Sequence, residues 1–164
     1  MKLLKIFRIL TVIFLLTWMC LIFSLSAETA DASSQTSGSL IAAVLEFFYP
    51  DFDNLSQTEQ QELIAPFQFI ARKTAHFSLY AVLGIFAFLS TVTYTKINLL
   101  HRSAIAGGIC LLYAISDEVH QLFVPGRSCE IRDVLIDFCG AMLAVSLLFL
   151  VTKFSKIRFT KKYT

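Results

Sequence analysis

The sequence is short of charge, proline and glycine. Asp, Glu, Lys and Arg make up only 16% of its 164 residues, where an ordinary soluble domain carries about a quarter. So little charge does not cover a water-facing surface of this size, which argues against a soluble fold. Three prolines and six glycines are too few for a disordered or collagen-like chain. No P-loop, GxGxxG or GxSxG motif occurs, and there is no internal repeat. The four cysteines, Cys20, Cys110, Cys129 and Cys139, form no CxxC pair and no Cys/His pattern of zinc type. No disulfide, structural metal or cofactor is therefore expected; a zinc hydrolase using His76, His120 and an aspartate is a minor alternative that lacks the HExxH spacing. The net charge of +2 comes without a basic stripe, so nucleic acid is not an expected partner.

What the chain has in abundance is apolar surface: 56% hydrophobic residues, with sixteen Phe. The excess falls in four runs, at about 9–25, 67–94, 104–124 and 134–151. Each approaches the roughly 20 residues that a helix needs to cross about 30 Å of hydrocarbon. These runs predict an all-α integral membrane protein, a small bundle of four transmembrane helices in one domain over 1–164. Lys2, Lys5 and Arg8 ahead of the first run, with "SLSAETADA" after it, resemble a secretory signal peptide. The run is longer than the usual apolar core of about 7–15 residues, and Leu25 is a poor cleavage-site residue, so it is expected to remain as a helix.

Basic residues set the expected orientation. With both termini cytoplasmic, Lys2, Lys5, Arg8, Lys96, Arg102, Lys153, Lys156, Arg158, Lys161 and Lys162 lie inside, ten of the fourteen Lys and Arg. Only Arg72, Lys73, Arg127 and Arg132 remain outside, which follows the positive-inside rule. His101 and Arg102 then read as cytoplasmic interface. The segment 26–66 becomes extracellular. Its "SAETADASSQTSGS" suits a flexible loop, "LIAAVLEFFYP" is long enough only to lie in the interface, and Ser56 with Glu59 has capping-box spacing for a short helix before Pro66.

Against this background the polar residues near the expected outer face stand out. Pro125 and Gly126 end the third span, and Asp117 lies about two turns, roughly 10 Å, beneath that end. Asp117, His120 and Gln121 share a helical face, with Glu118 beside them. Asp133 and Asp137 are one turn apart in the fourth span, and Gly140 continues their face. The second span carries Arg72, Lys73 and His76 in its outer half, with Tyr80 one turn below His76. Basic residues there oppose both the positive-inside rule and the helix dipole, so a carboxylate partner among Asp117, Glu118, Asp133 and Asp137 is expected. Several of these residues also have a plain structural reading. Arg72 can snorkel to head groups, Tyr80 and Gln121 can bond between helices, Glu130 and Asp133 can favour a helix start, and Pro125 and Gly126 can simply shape the turn.

"RKTAHFSLYAVLG" followed by "SDEVHQLFVPGRSCEIRDVLIDFCGA" resembles the signature of the VanZ-like family of small bacterial membrane proteins. The motifs cover about a quarter of the chain and include Lys73, His76, Tyr80, Asp117, Glu118, His120, Gln121, Pro125, Gly126, Arg127, Asp133, Asp137 and Gly140. The resemblance implies a multi-pass protein of the bacterial cell membrane associated with lowered susceptibility to teicoplanin and related lipoglycopeptides. It implies no particular reaction.

Three function classes remain open on the sequence. One is a binding protein whose outer pocket, built from Arg72, Lys73, His76, Tyr80, Asp117, Glu118, His120, Gln121, Arg127, Asp133 and Asp137, engages a lipid head group, a cell-wall precursor or a lipoglycopeptide. Another is a membrane enzyme on a phosphate-bearing envelope substrate, with Asp117, Glu118 and His120 as candidate acids and bases and Arg127 on the phosphate. A channel or transporter ranks last, because the inner halves of the spans carry no charges to continue a path.

Overall fold

The computed structural model describes residues 2–92 and 98–162 and is all-helical among them. Its elements are α1 (Lys2–Ser26), α2 (Ala30–Phe48), a single 3-10 turn (Phe52–Asn54), α3 (Gln57–Val92), α4 (Leu99–Gln121) and α5 (Ile131–Lys162). Four of them, α1, α3, α4 and α5, are long and apolar enough to cross a membrane. They cover the four runs expected from the sequence, except that Thr93 and Tyr94 at the end of the second run lie outside the described residues, and Leu122, Phe123 and Val124 at the end of the third fall in the turn after α4.

Helix α3 is the centre, packing against each of the other four helices. Its closest approach is to α5, and small residues permit it. A Cβ on Gly140 would lie 2.2 Å from the carbonyl oxygen of Phe77, and one on Gly84 would lie 2.5 Å from that of Ala141. Where lipid removes the hydrophobic drive between helices, backbone approach of this kind supplies the packing energy. Around the contact, Tyr80, Leu83, Ala87 and Phe88 of α3 meet Ala106, Cys110 and Ala114 of α4 and Ala141 and Val145 of α5. The outer flanks are the reverse of a soluble surface: Phe14, Leu112, Leu147 and Phe154 are all exposed, as lipid-facing residues must be.

Helix α1 is tied into this bundle by polar staples. Trp18 Nε1 donates to the Leu79 carbonyl at 2.8 Å, and Tyr113 donates its hydroxyl hydrogen to the Met19 carbonyl at 2.5 Å. Ile22 and Ser26 are fully buried. The first run is thus a helix packed into the bundle.

The segment between α1 and α3 differs from its expected form. The small polar stretch read as a flexible loop is the first half of α2. Thr29 caps it, accepting from the Ala32 N–H, and Ser37 and Ile41 turn inward against α3. Small side chains here fit close packing: a Cβ on Gly38 would come within 3.1 Å of Gln68 Nε2. Phe47, Phe48 and Tyr49 close the helix exposed, as expected of interface anchors. The capping box is present, with the Ser56 N–H donating to Glu59 Oε2 and the Glu59 N–H to Ser56 Oγ. However, the helix it starts does not stop at Pro66 but runs on through it as α3. Proline removes one helical hydrogen bond and crowds the preceding turn. The capped turn on one side and the membrane-length run on the other both favour helix, and α2 packs along α3.

Four crossings place the α1 end, the start of α5 and the end of α4 together at one end of the bundle, here the polar end, beside α2. Arg102, expected at a watery interface of the opposite end, is instead only 8% exposed.

Candidate functional site

The polar end is shaped by the turn between α4 and α5. Three successive backbone bonds, from the N–H of Leu122, Phe123 and Val124 to the carbonyls of Val119, His120 and Gln121, wind α4 out into the turn. Gly126 then takes a φ of +76°, a left-handed conformation that only glycine adopts without strain. The Pro125 carbonyl accepts the Ala30 N–H, and Arg127 Nε donates to the Glu28 carbonyl at 3.2 Å. The start of α2 therefore holds this turn in place, a role that no motif in the sequence indicates.

Below the turn opens a cavity of about 250 Å³. Its walls are Arg72, Lys73 and His76 from α3, Glu118 and Gln121 from α4, Arg127 from the turn, and Asp133 and Asp137 from α5. Eight of the eleven residues expected to form the pocket thus line it. The other three do not. Tyr80 and Asp117 lie beneath the pocket, fully buried or nearly so, and are joined by a hydrogen bond from the tyrosine hydroxyl to Asp117 Oδ2. His120 turns away altogether, its ring stacked on Phe23 of α1 at a centroid distance of 4.2 Å. The i, i+3 spacing that puts His120 beside Asp117 on a helical wheel leaves its ring on the α1 side of the face, whereas Gln121 reaches the cavity.

The carboxylates are largely engaged within the protein. Asp133 pairs with Lys73, which answers the expectation of a partner for that lysine. Glu118, 2% exposed, accepts the N–H of Glu130 at 2.6 Å, the residue just before α5. A carboxylate receiving an N–H at a helix start stabilises that start, so Glu118 is a capping group from the neighbouring helix. Glu130 pairs with exposed Arg132. Asp117 Oδ2 accepts from Tyr80 and, at 2.8 Å, from the hydroxyl of Ser26 in α1. Ser26 is a functional-site neighbour that sequence reasoning missed, because nothing in the spacing brings the end of α1 to the middle of the motif. Asp137 faces His76 Nδ1 at 3.8 Å and not Lys73 or Arg72.

The cations are less fully matched. Among the described residues neither Arg72 nor Arg127 takes part in an ion pair. Burial, and after it the nearby Arg72, pull the Arg127 guanidinium below its ordinary range. Two guanidinium groups lining one pocket, Arg72 from α3 and Arg127 from the turn, form a site that an anion entering between them would stabilise.

Fold and site together define a multi-pass helical membrane protein with a polar pocket at one end of its bundle. The family model described as VanZ/LLP1 matches residues 11–152, and the chain belongs to that family. No curated protein and no solved structure matches it.

Proposed function

We propose that the protein sits in the bacterial cell membrane with its pocket opening on the outer face. There it takes the phosphate-bearing head group of an envelope lipid or lipid-linked wall precursor, and it thereby lowers susceptibility to teicoplanin-type lipoglycopeptides. The observation that carries this reading is the pair Arg72 and Arg127, both lining the cavity and neither in an ion pair among the described residues. Guanidinium forks suit phosphate oxygens bidentately, and a shallow pocket at the end of a bundle lies at head-group depth. The excess of Lys and Arg on the terminal side of the spans supports the outward orientation.

A membrane enzyme on a phosphate-bearing substrate is the second reading. It draws support from Asp137 and His76 at the cavity wall above buried Asp117. Glu118, which lines the cavity while it caps a helix, and His120, stacked on Phe23 of α1, carry less of this reading.

The binding step is tested by native mass spectrometry of the detergent-solubilised protein after exposure to vesicles holding zwitterionic and anionic phospholipids. The parent retains phosphate-bearing lipid and Arg72→Ala/Arg127→Ala loses most of it, while Lys153→Ala at the far end behaves as the parent. In cells with equal membrane levels, the same double variant loses protection against teicoplanin. Equal lipid retention by the parent and the double variant contradicts the reading.

A further inference from the structure

Beneath the pocket three helices each bring one ligand-type side chain to the same point. His76 comes from α3, Asp117 from α4 and Asp137 from α5, and one donor atom of each lies within 4.8 Å of the others. Both carboxylates are almost wholly enclosed, Asp117 at 3% exposure and Asp137 at 2%. In each, Oδ1 is buried without a hydrogen-bond partner. An unpartnered carboxylate oxygen away from water is costly, and two facing each other are more so. The nearest flexible cation, Lys73, is already engaged by Asp133. The only basic group within the cluster is the His76 imidazole, whose Nδ1 stands 3.8 Å from Asp137 Oδ1.

We propose that His76, Asp117 and Asp137 bind a divalent first-row transition ion, of the zinc or manganese class, at the floor of the pocket. Oxygen and nitrogen ligands hold such ions at about 2.0–2.2 Å, so donors that already converge to within 4.8 Å need only a small inward movement. The imidazole favours zinc over calcium and magnesium, which prefer all-oxygen sites, and the two carboxylates admit manganese as well. Outer-shell support is present. Ser26 and Tyr80 both donate to Oδ2 of Asp117, which leaves the buried Oδ1 free to bind an ion. His76 and Asp137 also line the cavity, so the ion's remaining position opens to it, below Arg72 and Arg127. Three protein ligands with an open position is the layout of an ion that meets a ligand rather than one that merely holds a fold together. A phosphate group entering the pocket would then meet the cation beneath it and two guanidinium groups beside it. The sequence places all three residues in the expected pocket but does not single them out as ligands, because each is on a different helix and no local spacing relates them.

The ion site does not depend on which head group the pocket takes, and its test uses no lipid ligand. The full-length protein is purified in detergent, stripped with a chelator, and given zinc, manganese or magnesium separately. Metal content per chain and melting temperature are then read. The parent takes up an equimolar amount of zinc or manganese and melts higher with it, whereas magnesium has little effect. Asp117→Asn and Asp137→Asn each lose the uptake and the shift. Ser26→Ala, which removes an orienting hydroxyl, weakens the affinity roughly tenfold or more. Arg72→Ala/Arg127→Ala keeps the ion, which separates failure of this site from failure of head-group binding. If the stripped parent takes up neither ion and its melting point does not move, the proposal is overturned. It is overturned equally if Asp117→Asn/Asp137→Asn binds as much metal as the parent. The result on the parent alone decides the matter should a variant fail to fold.

Discussion

Glu118 shows how a charged side chain in a membrane helix can serve architecture. Its carboxylate reaches across from α4 to the N–H of Glu130 and fixes where α5 begins, and with it the positions of Asp133 and Asp137. Loss of one buried hydrogen bond to a charged group costs about 1.5–3 kcal/mol. Glu118→Ala is therefore expected to lower the melting temperature measurably and to loosen the pocket, while Glu118→Gln, which keeps an acceptor oxygen, restores most of the stability. An unchanged melting point in the alanine variant would deny the capping role. Most of these residues were legible in the sequence because an ionisable group in an apolar run stands out on its own. Lys73, His76 and Asp137 were found in this way. What the wheel could not supply was direction across the bundle. His120 and Asp117 share a face on paper, yet a neighbouring Phe23 takes one ring and a Ser26 hydroxyl meets the other carboxylate.

Among the elements, α3 and α5 set the geometry of everything above them, and Gly140 is the point where they touch. A side chain at 140 would drive its Cβ into the Phe77 carbonyl, which backbone atoms cannot evade as a flexible side chain can. Gly140→Leu is expected to separate the two helices, cost several kcal/mol, and sharply lower the yield of folded protein. A normal melting curve for this variant would show that the helices do not pack as described. The apolar runs made the four long helices plain, since length and hydropathy alone decide that question. Helix α2 was not legible. Its Ala, Ser and Gly residues suit either a loop or a tightly packed helix, and only the groove of α3 beside it selects the second. Pro66 misled in the opposite sense, because a local breaker was outweighed by strong helical sequence on both flanks.

For the molecule as a whole, the account rests on one asymmetry. The bundle is apolar along its flanks, and a pocket at the end opposite the start of α1 is lined by two guanidinium groups, Arg72 and Arg127, that take part in no ion pair among the described residues. Which side of the membrane that end faces determines what the pocket meets: envelope lipid, wall precursor and antibiotic outside, or cytoplasmic anions within. The excess of basic residues near the termini predicts the outside. Cys129 lies exposed in the turn two residues after Arg127, while Cys20, Cys110 and Cys139 lie within membrane-length helices. A membrane-impermeant maleimide applied to intact cells should label Cys129 within minutes, and Cys129→Ser should abolish that labelling. If Cys129 reacts only after lysis, the pocket opens to the cytoplasm and the proposed action at the outer face is wrong.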